Sequence, residues 1–201
     1  MKKLGVLLCL SLVVVLLGGS ALAQNVGDKS VFFVTYYSNA NYEGAPNAVL
    51  RLINDGGAST SEVEGVPNGN LWASIYVFDD SQELQECGSC FISADGILSE
   101  DVYYDLTSNP LTGKVNHVGV IKVISSSVDN PTANVPTAGI HGTATHVQYW
   151  INGSYLLTET PLADANLVSA EQSALQSSCS FAIQLGSGTG TIICTQEDYD
   201  F

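Results

Sequence analysis

Positive charge is scarce in this sequence: six Lys and Arg stand against 20 Asp and Glu, for a formal net charge of −14. Binding to nucleic acid or to anionic lipid headgroups draws on Lys and Arg to displace counterions, so neither partner is expected. Long apolar runs are also lacking after residue 23, and no stretch there has the roughly 20 apolar residues of a membrane-spanning helix. Helical periods of any length are nearly absent, which disfavours parallel α/β folds. The catalytic signatures are missing as well. No Gly-x-Ser-x-Gly nucleophile elbow and no Asp-x-Asp-x-Asp-Gly calcium loop occurs. The closest glycine-rich run, Gly186-Ser-Gly-Thr-Gly190, reads as a turn between strands and lacks the following helix that a phosphate cradle requires.

At the N-terminus, Lys2 and Lys3 precede a 14-residue run, 4–17, and then small residues up to Ala21-Leu22-Ala23. A basic start, a short apolar stretch and small residues at a cleavage point are the pattern of a secretory signal peptide over 1–23. No cysteine follows Ala23 directly, unlike a lipoprotein site. The expectation is an exported protein (extracellular, at the cell surface or in the periplasm) with no membrane segment after cleavage. Residues 24–201 are expected to form a single disulfide-containing domain, a length that suits one hydrophobic core. That part keeps four cations, Lys29, Arg51, Lys114 and Lys122, against all 20 acids. The acids gather at Asp79-Asp80, Glu100-Asp101 and Glu197-Asp198-Tyr199-Asp200 and read as solvated loops, with calcium binding as the sharper alternative.

Four cysteines follow the signal segment: Cys87, Cys90, Cys179 and Cys194. An even count in an exported chain points to disulfides, and four cysteines allow three pairings. Spacing favours Cys87 with Cys90 and Cys179 with Cys194, because 180–193 reads as strand, glycine-rich turn and strand, which would set the last two sulfurs opposite each other. A thioredoxin-like role for Cys87-Gly-Ser-Cys90 needs a following helix, whereas 91–96 reads as a short strand and a turn. A four-cysteine zinc site lacks the usual close spacing in its second half. No metal and no cofactor is expected.

The strongest local signal is 146–158, two β-forming runs around Asn152-Gly153, the pair preferred in a type I′ hairpin turn. Further strands are expected at 31–37, 48–53, 71–78, 101–106 and 118–124, each bounded by Gly, Asn, Asp, Ser or Pro. In 71–78 large apolar residues fall on both parities, as in a strand covered on both faces. In 118–124 only Lys122 needs a route to water. One short helix is expected near 169–178, opening on Ser169-x-x-Gln172 with Ala170, Ala174 and Leu175 inward. The segments 56–70 and 125–139 read as surface loops. The fold class is therefore all-β: an antiparallel β-sandwich, Ig-like or jelly-roll-like, with one helix.

Candidate chemistry is thin. His141 and His146, five apart, point to opposite faces of a strand, so with His117 they read as packing or surface residues. Among 20 acids some pair meets glycosidase spacing by chance. Trp72, Trp150, Tyr103 and Tyr104 fit either a sugar-stacking platform or ordinary packing. Asn68-Gly-Asn-Leu-Trp-Ala-Ser-Ile-Tyr-Val-Phe-Asp79, Gln82-Glu-Leu84, Cys87-Gly-Ser-Cys90, 105–113, Thr158-Glu-Thr-Pro161 and Cys179-Ser-Phe-Ala-Ile183 with Gly186-Ser-Gly188 together resemble small exported proteins of acidobacteria-like soil bacteria. That group has no assigned activity, and the resemblance implies an exported β-domain and nothing more. The expected function is non-enzymatic, in structure, assembly or adhesion. Edge strands at 31–37 or after Cys194 would pair with a second copy or a cell-surface partner. A carbohydrate- or calcium-binding module is the alternative, and a secreted hydrolase a more distant one.

Overall fold

The computed structural model describes residues 31–39, 44–58, 69–107, 115–149, 151–185, 192 and 194. Residues 1–23, expected to be a signal segment, Trp150, the glycine-rich run 186–190 and the acidic end 197–200 lie outside the described residues. In chain order the elements are β1 (Phe32–Ser38), β2 (Val49–Asn54), β3 (Leu71–Asp79), β4 (Leu84–Ile92), β5 (Ile97–Asp101), β6 (Val118–Ser126), β7 (Ile140–Tyr149), β8 (Tyr155–Pro161), β9 (Ala163–Asp164) and α1 (Ser169–Leu185). All the strand pairings are antiparallel, in a five-stranded sheet ordered β4-β3-β6-β1-β9 and a four-stranded sheet ordered β5-β2-β7-β8. The expected all-β sandwich with one helix is the architecture observed.

Alternation along each strand divides its side chains between two layers. Leu71, Ala73, Ile75 and Val77 of β3 join Leu50 and Leu52 of β2, Ile121 and Val123 of β6 and Ile140 and Ala144 of β7 in the interior between the sheets. On the opposite parity, Tyr76 of β3 joins Phe32, Ile124 and Cys87 beneath Leu175 and Cys179 of α1. The helix therefore covers the outer face of the five-stranded sheet, and β3 is buried on both sides as its sequence suggested. Lys122 finds its way out on that outer face. Its ammonium lies 2.6 Å from Glu171 of α1 and over the ring of Phe78. The Tyr76 hydroxyl donates to the Pro131 carbonyl (2.6 Å) and accepts from Asn134, whose side chain also receives Gln172 and Gln176. This network ties the loop after β6 to the helix.

The helix differs from expectation at both ends. Gln172 is engaged with Asn134, and Ala170 and Ala174 are exposed. The buried stripe is Leu175 and Cys179, continued by the partly buried Ala182 and Ile183 at helical spacing. That continuation explains the second difference: 180–185, expected to be a strand, forms the last turns of α1 because its apolar residues extend the helical stripe. The 101–106 segment is likewise no strand. Asp101 closes β5, and its carboxylate accepts the backbone N–H groups of Tyr103 and Tyr104 while Asp105 accepts that of Asp101. Carboxylates that capture nearby amides in this way favour a turn over a ladder. The apolar Val102 and Leu106 still reach the core from this turn.

The four cysteines pair as Cys87–Cys179 and Cys90–Cys194, correcting the pairing inferred from spacing. The physical reason is the strand: Cys87 and Cys90 both lie on β4, three residues apart, so their side chains leave opposite faces of the sheet. Cys87 faces the helix and meets Cys179, while Cys90 faces the interior and meets Cys194. Gly88 lies between them, and a Cβ there would come within 3.0 Å of Ile192. Its bare backbone admits the C-terminal segment, where the Ile192 amide donates to the Cys87 carbonyl (3.2 Å).

Candidate functional site

Each sheet ends in two edge strands, and each edge exposes unpaired backbone groups unless something covers it. On the five-stranded sheet, Ile192 and Cys194 lie against β4 at one end, and β9 at the other contributes two residues. On the four-stranded sheet, β5 is five residues long and ends in Glu100 and Asp101. The other edge of the four-stranded sheet is β8, seven residues paired to β7 from Thr143↔Pro161 to Tyr149↔Tyr155. Among the described residues, no strand pairs with its outer side.

The β7–β8 hairpin is built as its sequence predicts. The Ser154 amide donates to the Ile151 carbonyl (3.1 Å), closing a turn whose central residues Asn152 and Gly153 take φ of 57° and 79°. Both angles are positive, as type I′ requires, and the flanking strands continue their twist without splaying. While Val147 and Tyr155 pack with the interior core, the turn and much of β8 are exposed and apolar. Ile151 is 60% exposed and Leu157 51%, with Tyr149 and Leu156 also exposed and the rings of Tyr149 and Tyr155 in edge contact. Along β8 the only charged side chain is Glu159, which lies 3.2 Å from Arg51 and accepts from Thr143 (2.7 Å). A seven-residue edge with one paired charge is a near-neutral strip on a strongly acidic molecule. Lysine, the usual blunting residue of sheet edges, does not occur in it; Pro161 alone, at its end, lacks an amide to offer.

Of the edges named from sequence, β1 pairs with β6 along its whole length and on its other side with β9 only at Phe33 and Val34, so among the described residues its outer side from Thr35 to Ser38 has no strand neighbour. The segment beyond Cys194 lies outside the described residues. The hairpin was legible from Asn152-Gly153, and its role as a sheet edge was not, because the strand order is a long-range property.

The histidines do not converge. His141 is exposed, 3.5 Å from the Asp55 carboxylate. His146 is buried and stacks on Tyr36, with centroids 3.9 Å apart and planes within 9°. Its Nε2 lies 2.8 Å from the Thr160 hydroxyl, and its buried Nδ1 meets no hydrogen-bond partner. Burial lowers its basicity below that of an ordinary imidazole. A hydroxyl–imidazole pair without an acid to orient the ring falls short of a triad. Trp72 packs edge-on against Phe91, and Tyr103 against Tyr104, each pair within its own part of the fold.

Of the acid clusters, Asp79 and Glu100 are buried rather than solvated, Asp80 is exposed as expected, and 197–200 lies outside the described residues. Asp79 is buried and accepts the backbone amides of Ser81 and Glu83 and the side chain of Gln85, capping the turn between β3 and β4. Glu86 and Glu100 are buried in the same sandwich. Burial, reinforced by the negative charge of Asp105, pushes the Glu86 carboxyl up to about 7, and one of its oxygens has no hydrogen-bond partner. Asp105 is also raised, chiefly by burial. The Tyr37 ring crosses this end of the sandwich over Gly119, where a Cβ would sit 2.7 Å from the phenol oxygen. Burial raises that phenol, and Asp79, Asp80 and Glu86 raise it further. Among the described residues, one group has three potential metal ligands mutually within 4.8 Å: Cys90, Glu100 and Cys194. Its two sulfurs are bonded to each other, so in this state it offers a single carboxylate. A four-cysteine metal site is excluded for these residues because the two bridges lie on opposite faces of β4.

No helix among the described residues is long and apolar enough to cross a membrane, and the two disulfides are compatible with an extracellular or periplasmic protein. Comparison with protein-family models, curated proteins and solved structures returns no match.

Proposed function

We propose that this protein is an exported, non-enzymatic assembly module whose β8 edge pairs with the β8 edge of a second copy. The observation that carries this reading is the combination of length, openness and apolarity at β8: seven residues with an unpaired outer side among the described residues, carrying exposed Leu156 and Leu157, with exposed Ile151 in the turn before it. Two such strands related by a two-fold axis run antiparallel and join their sheets through main-chain hydrogen bonds. The near-neutral strip also lets two acidic molecules approach where repulsion is least, since Glu159 has its partner in Arg51. The secretory pattern of 1–23 and the disulfides support an extracytoplasmic setting.

Sedimentation velocity over a wide range of concentrations tests the reading. The expected result is growth of a dimer with concentration for the wild type and none for Leu157→Lys, which adds the charge that natural edges use to resist pairing. Leu157 is half exposed and outside the core, so the variant keeps the wild-type melting temperature. A wild type that stays monomeric at every concentration contradicts the proposal.

A further inference from the structure

The two disulfides differ in access. Cys87 and Cys179 are both fully buried under α1, whereas Cys194, the outer member of the second bridge, is partly exposed. Thiol–disulfide exchange requires a thiolate to reach a sulfur along the S–S axis, so the second bridge is the one a small dithiol attacks. Beside it lies Glu100, buried in the same interior with a carboxylate oxygen within 4.8 Å of both sulfurs. A thiol pair and a carboxylate converging at that scale make a ligand set for a borderline-soft divalent cation, with sulfur at about 2.3 Å and oxygen at about 2.0–2.2 Å from a tetrahedral zinc ion.

We propose that the Cys90–Cys194 bridge is selectively reducible and that its reduced form, with Glu100, binds a divalent transition metal of the zinc class. In the first step a dithiol thiolate attacks Sγ of Cys194, the S–S bond breaks, and Cys90 leaves as a thiolate. The second thiol of the reductant then displaces Cys194, so two electrons pass to the bridge and the reductant leaves as a cyclic disulfide. The cation replaces the thiol protons, which go to solvent, and takes two sulfurs and one Glu100 oxygen. Water completes the tetrahedron. Either linkage, S–S or S–metal–S, ties the C-terminal segment to β4. The reduced, metal-free protein is the state in which this tie is lost.

The test uses native protein treated with a dithiol, desalted without oxygen and titrated with Co²⁺ as a spectroscopic stand-in for zinc. Two reactive thiols per chain and a sulfur-to-cobalt charge-transfer band saturating at one equivalent are expected, with no band in Cys194→Ser. Glu100→Gln is expected to weaken binding by about tenfold or more, the scale on which even outer-shell partners of metal ligands act. If that variant does not fold, X-ray absorption on the wild-type cobalt complex reads the ligands directly, and two sulfur and two oxygen neighbours are expected. No reactive thiols, all four released together, two thiols without the band, undiminished binding in Glu100→Gln, or a first shell without oxygen overturns the proposal.

Discussion

Replacing Glu86 by Gln tests the buried acidic end of the sandwich most sharply. Glu86 is 1% exposed on the interior side of β4, and its carboxyl is raised from 4.5 to about 7. Each unit of difference between folded and unfolded states corresponds to about 1.4 kcal/mol, so the shift is worth about 3 kcal/mol. The sign follows from which state holds the proton. Between the unfolded value of 4.5 and the folded value of about 7, the native protein keeps a proton that the unfolded chain has released. The stabilisation is complete below the lower value and is lost as pH rises through the upper one. His146 acts in the opposite sense, since burial lowers its value and stability is lost as pH falls through it, and Asp105 acts in the same sense as Glu86. Comparing variant with wild type cancels the His146 contribution, whereas Asp105, whose charge acts on Glu86, moves with the substitution and its change is read as part of the same difference. The expected outcome is a stability difference that moves by about 3 kcal/mol in favour of Glu86→Gln between about pH 4 and about pH 8. In thermal melts that corresponds to roughly 6–12 °C for a protein of this size. Melting curves of the two proteins that stay parallel across this range would refute the assignment of Glu86 as a buried acid protonated near neutrality.

The two remaining stability predictions concern geometry that sequence spacing misplaced or could not show. Cys87→Ser with Cys179→Ser removes a bridge closing 92 residues, and chain entropy sets its cost at about 4–5 kcal/mol, read from urea unfolding; a loss below about 1 kcal/mol would contradict a stabilising role for this bridge. Gly119→Ala puts a Cβ 1.9 Å from the Phe78 carbonyl oxygen and 2.7 Å from the Tyr37 ring. Overpacking at this severity costs about 3 kcal/mol, measured the same way, and a neutral substitution would show that β1, β6 and β3 do not meet as described.

How much of this was legible in the residues depends on the range of the interaction involved. The strands β1, β2, β3 and β6 follow from β-branched and aromatic runs between turn residues, and their observed ends fall within two residues of the expected ones. The β7–β8 turn follows from Asn152-Gly153 because positive φ is a local requirement. Disulfide pairing is a different matter. Cys87 and Cys90 are close in sequence, yet the extended backbone of β4 turns them to opposite faces, and recognising 84–92 as one strand would have ruled out their bridge. The 180–185 stretch was ambiguous because Phe, Ala, Ile and Leu serve a strand or a helix equally, and the stripe begun by Leu175 and Cys179 decided it. Buried acids such as Glu86 and Glu100 carry no mark in the sequence. Only the turn after β5 and the interior position of β4 show why these carboxyls lie inside.

Amide hydrogen exchange along β8 as a function of protein concentration tests the central claim most directly. If β8 pairs with a second β8, amides within 155–161 that point away from β7 exchange freely in dilute wild-type protein and become protected as concentration rises, while Leu157→Lys shows no such change. Exchange along 155–161 that is the same at every concentration contradicts the claim.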